Sequence, residues 1–412
     1  MNQQTEAMAP LRVLAQYWRV TLAAMLGWFL DAFDTMILIF LLVDLRQTFS
    51  VSLVAMGFLL TAQTWAKIVG EVAWGWGADR FGRKLAFMAG IIWFACASGL
   101  TGLAWSYESL LVIRIVFGLG FGGEWSASAA LLMESVPAAG RSLASAVMMA
   151  GFEVGYFMAA VANALIYPVF GWRVLFFIGM LPALLAVFVR WGVPESPVWL
   201  ARRANLAATR TRAKFSVTAA GLQGWLFMFL LQFQNTAIFA FYPAFLQTVH
   251  HYTPGQIFPF AATYSVASII GKPSIGYIAS RFGQRPTLVT YLLITIPGAL
   301  FFTLVGGTAG LYFGAFLMGI VANSIFGLVP HFLSQRFPTE MRSLGMGTGY
   351  GIANIGGSIC SFVLPMMAGP MGLGVAMAVL IIGGSAATAA VAAIRPKHLP
   401  GEIMEGSEGP TT

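Results

Sequence analysis

Twelve times the chain enters an apolar run of about twenty residues or more, and the stretches between the runs carry most of its charge. About twenty apolar residues in helical conformation cross the hydrocarbon core of a bilayer. In that medium the backbone must satisfy its own hydrogen bonds, which leaves helices and closed barrels. Barrel strands would read as alternating segments of roughly ten residues, and these runs do not alternate. The chain is therefore read as an all-α integral membrane protein with twelve transmembrane helices. In the first half they fall at about 18–44, 53–78, 84–105, 109–134, 142–168 and 172–193. In the second half they fall at about 217–247, 257–280, 286–306, 309–335, 343–367 and 372–394. Only 9% of the residues are charged and 58% are hydrophobic, against roughly 25% charged in a soluble domain. The first run is too long for the apolar part of a cleaved leader, and no small-residue cleavage site follows it. Cys96 and Cys360 lie inside apolar runs without metal or redox spacing. His331, His250 and His251 have no metal-ligand company, so no metal or cofactor is expected.

The net charge of +8 could suggest nucleic acid, but its distribution argues for topology. Arg12 and Arg19 precede the first run, and Arg80, Arg83 and Lys84 follow the second. Arg141 follows the fourth, and Arg190, Arg202, Arg203, Arg210, Arg212 and Lys214 surround the central loop. Arg281, Arg285, Arg336, Arg342, Arg395 and Lys397 continue the pattern. Of 23 Lys and Arg, 18 fall on one side, while the opposite loops hold only Arg46 and Arg173. By the positive-inside rule that side is cytoplasmic. The expected placement is a multi-pass protein of the inner membrane with both termini inside and no nucleic-acid partner.

The sequence repeats itself. "GWGADRFGRK" (Gly75 to Lys84) returns as "GYIASRFGQR" (Gly276 to Arg285), and 276 − 75 is 201. Pro137 and Arg141 match Pro338 and Arg342 at the same offset, with Glu134 facing Gln335. Gly70/Gly271, Gly118/Gly319 and Gly155/Gly356 keep it too. Two parallel six-helix halves follow, as in transporters with a substrate path between repeats. The expected division is 1–194 and 217–396 as bundles, 195–216 as a central loop and 397–412 as a tail.

"GWGADRFGRK" resembles the loop signature G-x-L-x-D-R-x-G-R-K of the major facilitator superfamily, with Gly77 at the Leu position. "RIVFGLGFGGEW" (Arg114 to Trp125) resembles its fourth-helix motif, and "PESPVWL" (Pro194 to Leu200) the segment ending helix 6. More narrowly, "GWFLDAFD" (Gly27 to Asp34), "GGEWSASAALLMES" and "GWRVLFFIGMLP" look like the sialate:proton symporter family, which holds sialic acid transporters and lactate/pyruvate permeases. The resemblance implies two six-helix bundles in pseudo-symmetry. It implies a proton-coupling role for Arg114 and a charge lock at the loop, in which Asp79 caps a neighbouring helix and pairs with a basic residue such as Arg141. Gly75, Arg80, Gly82, Arg83, Glu134 and Arg342 complete the expected gate. The C-terminal copy has Ser280 for Asp79 and Gln284 for Arg83, so its lock should be weaker.

Eight charged residues sit within the apolar runs: Asp31, Asp34, Lys67, Glu71, Arg114, Glu124, Glu153 and Lys272. A charge at a helix centre costs about 2.5–3.5 kcal/mol on insertion scales, so such residues mark function or face a partner. Asp31 and Asp34 are three apart and share a helix face. Two carboxylates that close repel, and a proton on one relieves the repulsion. They could load and release a proton, or pair statically with Arg114 or Lys67. Lys67 and Glu71, four apart, read as an intrahelical pair. Glu124 and Glu153 are further proton candidates or buried partners of cations. The offset sets Asp31 against Gln232, Asp34 against Asn235 and Glu153 against Asn354, a carboxylate facing an amide each time. Amides bond without titrating. The first half would handle the proton, and the second half would hold a polar substrate through Gln232, Asn235, Asn354 and Lys272. Otherwise Gln232, Gln234 and Asn235 glue helices together. Arg114 could hold a carboxylate in its planar fork, and Tyr156 and Tyr242 could line the cavity.

The preferred reading is a secondary transporter carrying an organic acid anion, such as lactate, pyruvate or sialic acid, with protons by alternating access. It is expected to be monomeric and not an enzyme. A proton-coupled carrier of an aromatic acid or other metabolite, a drug:proton antiporter and a non-transporting nutrient sensor are the alternatives. A sensor would need a soluble output domain, and no run outside the spans supplies one.

Overall fold

The structure is a computed structural model that describes residues 9–209, 217–396 and 398–401. Arg210, Arg212, Lys214, Lys397 and the rest of the tail lie outside the described residues. The described chain is helical throughout, and nine of its helices are long and apolar enough to cross a membrane. The twelve spans are α1 (Trp18–Phe40), α2 (Leu53–Phe81), α3 (Arg83–Gly102), α4 (Tyr107–Ser135) and α5 (Ala138–Leu165). They continue with α6 (Trp172–Ile178 and Pro182–Gly192), α7 (Ala219–Phe239 and Tyr242–Thr248), α8 (Pro254–Phe282) and α9 (Gln284–Leu304). The last are α10 (Thr308–Ser334, in four pieces), α11 (Arg342–Met371) and α12 (Leu373–Ala393). α2 and α8 have the length, but their polar residues thin the apolar run, and α6 is broken before Pro182.

Local chemistry sets the boundaries. Ser52 Oγ accepts from the Ala55 amide at 3.1 Å and starts α2; Ser106 and Ser109 exchange bonds and start α4. These satisfy helix N–H groups that have no partner in the first turn. Glycines in the left-handed region end one span and start the next at Gly82 and Gly283, and at Gly171 and Gly372. Since 283 − 82 and 372 − 171 are both 201, the backbone repeats at the offset of the sequence. The span starts Trp18/Ala219, Leu53/Pro254 and Trp172/Leu373 repeat at it too.

Packing follows the same rule. α1 lies on α5, α2 on α4 and α3 on α6; α7 lies on α11, α8 on α10 and α9 on α12. The halves meet along two seams, α2 against α11 and α5 against α8. Large apolar side chains such as Trp93, Phe301 and Phe313 stand exposed around the outside. A soluble surface rarely carries so large an apolar patch, whereas lipid contact requires one.

Three segments differ from the expectation. The central loop carries a helix, Pro197–Thr209. α7 breaks at Ala240, where Pro243 follows. α10 passes through a π turn (Met318–Ala322) and a 3-10 stretch (Asn323–Leu328) before Pro330. Proline lacks the N–H that would bond four residues back and crowds that carbonyl, so the regular ladder gives way.

Candidate functional site

At the end that carries the basic loops, the halves are tied together. Asp79, near the end of α2, accepts from the amides of Ser343 and Leu344 at 3.1 and 2.9 Å. These are the first N–H groups of α11, where the helix dipole favours an anion. Gly75 allows the approach: a methyl there would meet Leu344 Cα at 2.8 Å. Asp79 also pairs with Arg83 Nη1 at 2.9 Å. Arg83 and Arg342, both fully buried, converge on Glu134 at 3.2 and 2.8 Å. Arg83 donates to the Thr339 carbonyl and Arg342 to the Ser334 and Gly401 carbonyls. Glu195 of "PESPVWL" accepts from the Arg83 and Lys84 amides beside Gly82, and Ser196 bonds Glu134.

Two expected members stand elsewhere. The cation on Asp79 is Arg83, the first residue of α3, just across the Gly82 turn. Arg141 instead donates to the carbonyls of Met133 and Val136 at the end of α4. Arg80 is exposed and stacks on Trp76 at 5.2 Å, since the helical turn after Asp79 points it outward. Arg80→Ala should leave uptake within about twofold of wild type, as surface substitutions shift stability by only about 0.5 kcal/mol; an uptake assay checks this. In the second half Ser280 bonds its own helix at Tyr277, and Gln284 reaches the Leu328 carbonyl at 3.3 Å. On that side of the molecule α5 is tied to α10 by smaller groups: Ser142 with His331, and Ser145 with the Gly327 carbonyl. At the other end α2 and α11 part, leaving a cleft of about 430 Å3 lined by Leu60, Thr64, Ile68, Ile355, Ile359 and Phe362.

At mid-depth the buried charges fall into four pairs. Asp34 pairs with Arg114 Nη1 at 2.8 Å and accepts from Ser98 Oγ, and Gln63 takes Arg114 Nε at 2.9 Å. Glu153 on α5 pairs across the seam with Lys272 on α8 at 3.0 Å. Asn323, on the irregular part of α10, donates to the same Glu153 oxygen at 2.7 Å and bonds Ser268 at 3.0 Å. The sequence reading did not single out Asn323 or Ser98.

With Lys67 and Glu71 as the fourth pair, the third is Asp31 and Glu124. Both are fully buried, and their carboxyls lie within hydrogen-bonding reach of one another. None of their four oxygens has a hydrogen bond of good geometry among the described residues; the hydroxyl beside Glu124, that of Ser128, donates to the Trp125 carbonyl at 3.2 Å. Gly27 makes the room, since a methyl there would overlap the Glu124 carboxyl. The partner that Asp31 meets is therefore Glu124, while Asp34 faces a cation. The two aspartates share a face but have opposite surroundings.

Beside this pair, Lys67 lies 3.9 Å from Glu71 and 4.2 Å from the Phe121 ring. Trp28, Trp125, Phe152 and Tyr350 form an aromatic cluster, with Trp125 and Tyr350 centroids 4.2 Å apart. Tyr350 comes from α11, so both halves build it.

The expected substrate residues divide. Gln232, Asn235 and Asn354 are half-buried on α7 and α11, with Asn235 Oδ1 and Asn354 Nδ2 unpartnered among the described residues. Tyr156 faces Phe239 across the halves at 6.1 Å. Tyr242 is packed inside the second half against Phe302, and its hydroxyl is spent on the Leu311 carbonyl; it presents nothing to a cavity in this conformation. Gln234 bonds Ser385 at 2.6 Å between α7 and α12.

The model for the Major Facilitator Superfamily matches residues 24–361 and 224–405. The chain belongs to the Major Facilitator Superfamily. It is 32% identical over 364 residues to a "Probable 4-methylmuconolactone transporter" of Cupriavidus pinatubonensis, covering 81% of this chain and 79% of that one. It is 28% identical over 374 residues to the sialic acid transporter NanX of Escherichia coli, covering 88% and 90%. Among solved structures, the proton:xylose symporter XylE superposes with a TM-score of 0.73 at 18% identity, covering 90% of this chain and 94% of that one. This superfamily member is thus a multi-pass membrane transporter and not an enzyme, with the fold of twelve helices in two pseudo-symmetric bundles.

Proposed function

We propose that the protein is a secondary transporter that carries an organic acid anion together with protons. The observation behind this reading is the Asp31–Glu124 pair: two buried carboxyls within reach of each other, with no cation bonded to either among the described residues. A bond between carboxyls needs a proton on one of them, so the pair is built to hold one. Asp34 has Arg114 on it and serves to orient and neutralise that cation. The relatives named for a muconolactone and for sialic acid support a small organic acid as the class. The rings of Trp28, Phe121, Trp125 and Tyr350 near the pair favour a flat, conjugated or aromatic acid over lactate or pyruvate, because stacking rewards a planar ligand.

The lock at the basic end and the cleft at the other end fit one of two alternating states. In this reading the basic end is cytoplasmic, the membrane is the inner one, and the state is outward-facing. The halves 1–194 and 217–396 rock about the mid-depth charges as one monomer, with 195–216 as connector. The test uses proteoliposomes with a trapped pH dye and an inward proton gradient. 4-Hydroxybenzoate, shikimate, sialic acid, lactate and pyruvate are added in turn. Internal acidification and labelled uptake driven by one acid are expected. Uptake with no proton movement would overturn the coupling, and no uptake of any acid would overturn the substrate class.

A further inference from the structure

Of the three cations at mid-depth, Lys67, Arg114 and Lys272, two are tightly neutralised. Arg114 has a carboxylate at 2.8 Å and Lys272 has one at 3.0 Å. Lys67 has only Glu71 within ion-pair range among the described residues, at 3.9 Å, and keeps a fifth of its side chain exposed. Its ammonium stands over the rings of Phe121, Tyr350 and Trp28 at 4.2, 5.7 and 5.9 Å. An ammonium on ring faces is stabilised yet keeps N–H groups to give. The indole N–H groups of Trp28 and Trp125 are buried and have no acceptor among the described residues, and the two residues are 97% and 98% buried. Buried donors normally find a partner. One small region therefore gathers a cation and two unused N–H donors, and Ile68, the next residue after Lys67, lines the open cleft.

We infer that Lys67 and the indole N–H groups of Trp28 and Trp125 form the subsite for the carboxylate of the transported acid, closed from the other half by Tyr350. This rests on the organic-acid reading above and deepens it. It assigns the anion to Lys67, where the sequence had pointed to Arg114 and Lys272. Asp31, Glu71 and Glu124 stand around the same ammonium. With all three ionised, an added carboxylate is repelled. Each proton taken up makes room for it, so the two ligands help each other bind, and linkage requires the help to be mutual.

The test is calorimetric titration of purified protein with 4-hydroxybenzoate, cis,cis-muconate and lactate, and with 4-hydroxybenzamide as the uncharged analogue. Wild type should bind an acid and discriminate against the amide. Lys67→Gln with Glu71→Gln removes both charges together and should weaken acid binding at least about tenfold, the scale of a lost charged hydrogen bond. Amide binding should change far less than acid binding in that variant, so the discrimination collapses. Trp125→Phe and Trp28→Phe keep the packing and should each weaken acid binding severalfold. If the double variant does not fold, unchanged acid binding in both Trp variants overturns the subsite. Wild type that binds an acid while the double variant binds it equally overturns the inference and leaves the acid reading standing. Wild type that neither binds nor transports any acid overturns the acid reading itself.

Discussion

Glu124→Gln is expected to give a protein that folds, binds its acid and exchanges it across the membrane but cannot concentrate it. The glutamine amide can donate to Asp31, so the buried pair keeps a hydrogen bond and the slot beside Gly27 stays filled. What is lost is the proton that comes and goes. With one proton per anion, a difference of one pH unit supports about tenfold accumulation, since a pH unit is about 1.4 kcal/mol. Wild type in proteoliposomes should approach that ratio, and Glu124→Gln should stay near one. Counterflow, in which labelled acid enters against unlabelled acid inside, needs no net proton movement and should persist in the variant. Asp34→Asn should behave differently. It leaves Arg114 without its counter-charge at 2.8 Å, so exchange should suffer as well as accumulation. Full accumulation by Glu124→Gln would remove the carboxyl pair from the coupling mechanism.

The repeat explains why so much of the architecture was legible. An offset of 201 holds for loop motifs in the sequence and reappears in the span starts and the left-handed glycines, because backbone turns are local and each half folds by the same local rules. The gate was half legible. Asp79 meets the start of α11 as the loop signature implied, but its cation is Arg83, four residues on. The turn at Gly82 brings the first residue of α3 back onto the end of α2, whereas Arg141 lies in another loop and bonds the end of α4. The buried charges were visible as residues and largely hidden as pairs. Spacing set Asp31 with Asp34, whereas packing of α1 on α4 sets Asp31 with Glu124 and Asp34 with Arg114. The one trace of this in the sequence is Gly27, whose missing side chain lets Glu124 in. Asn323 was overlooked because α10 reads as a plain apolar helix. Pro330 marks where its ladder fails, and Asn323 sits in the stretch that fails.

Glu134→Ala should have the second large effect, on the balance between the two states of the transporter. Glu134 is the carboxylate on which Arg83 of one half and Arg342 of the other converge, and all three side chains are fully buried. Removing one partner of a buried pair costs about 3–5 kcal/mol, because the remaining charge is left in a dry place. That cost falls on the closed arrangement of the basic end. Parting the halves wets Arg342 and relieves it. A loss of about 4 kcal/mol is roughly a thousandfold in an equilibrium, enough to carry most molecules to the state open at the basic end. Ser343 reports on this, being buried beside Asp79 with a hydroxyl that bonds nothing among the described residues. In a Ser343→Cys protein with Cys96 and Cys360 replaced by Ala, a polar thiol reagent added from the basic side should label slowly. With Glu134→Ala it should label at least about a hundredfold faster, and net uptake should fall. Glu134→Gln, which keeps acceptor and shape without the charge, should lie between. Slow labelling and normal uptake in Glu134→Ala would mean that Asp79 on the α11 start holds the end closed unaided and that the three-residue cluster is packing alone.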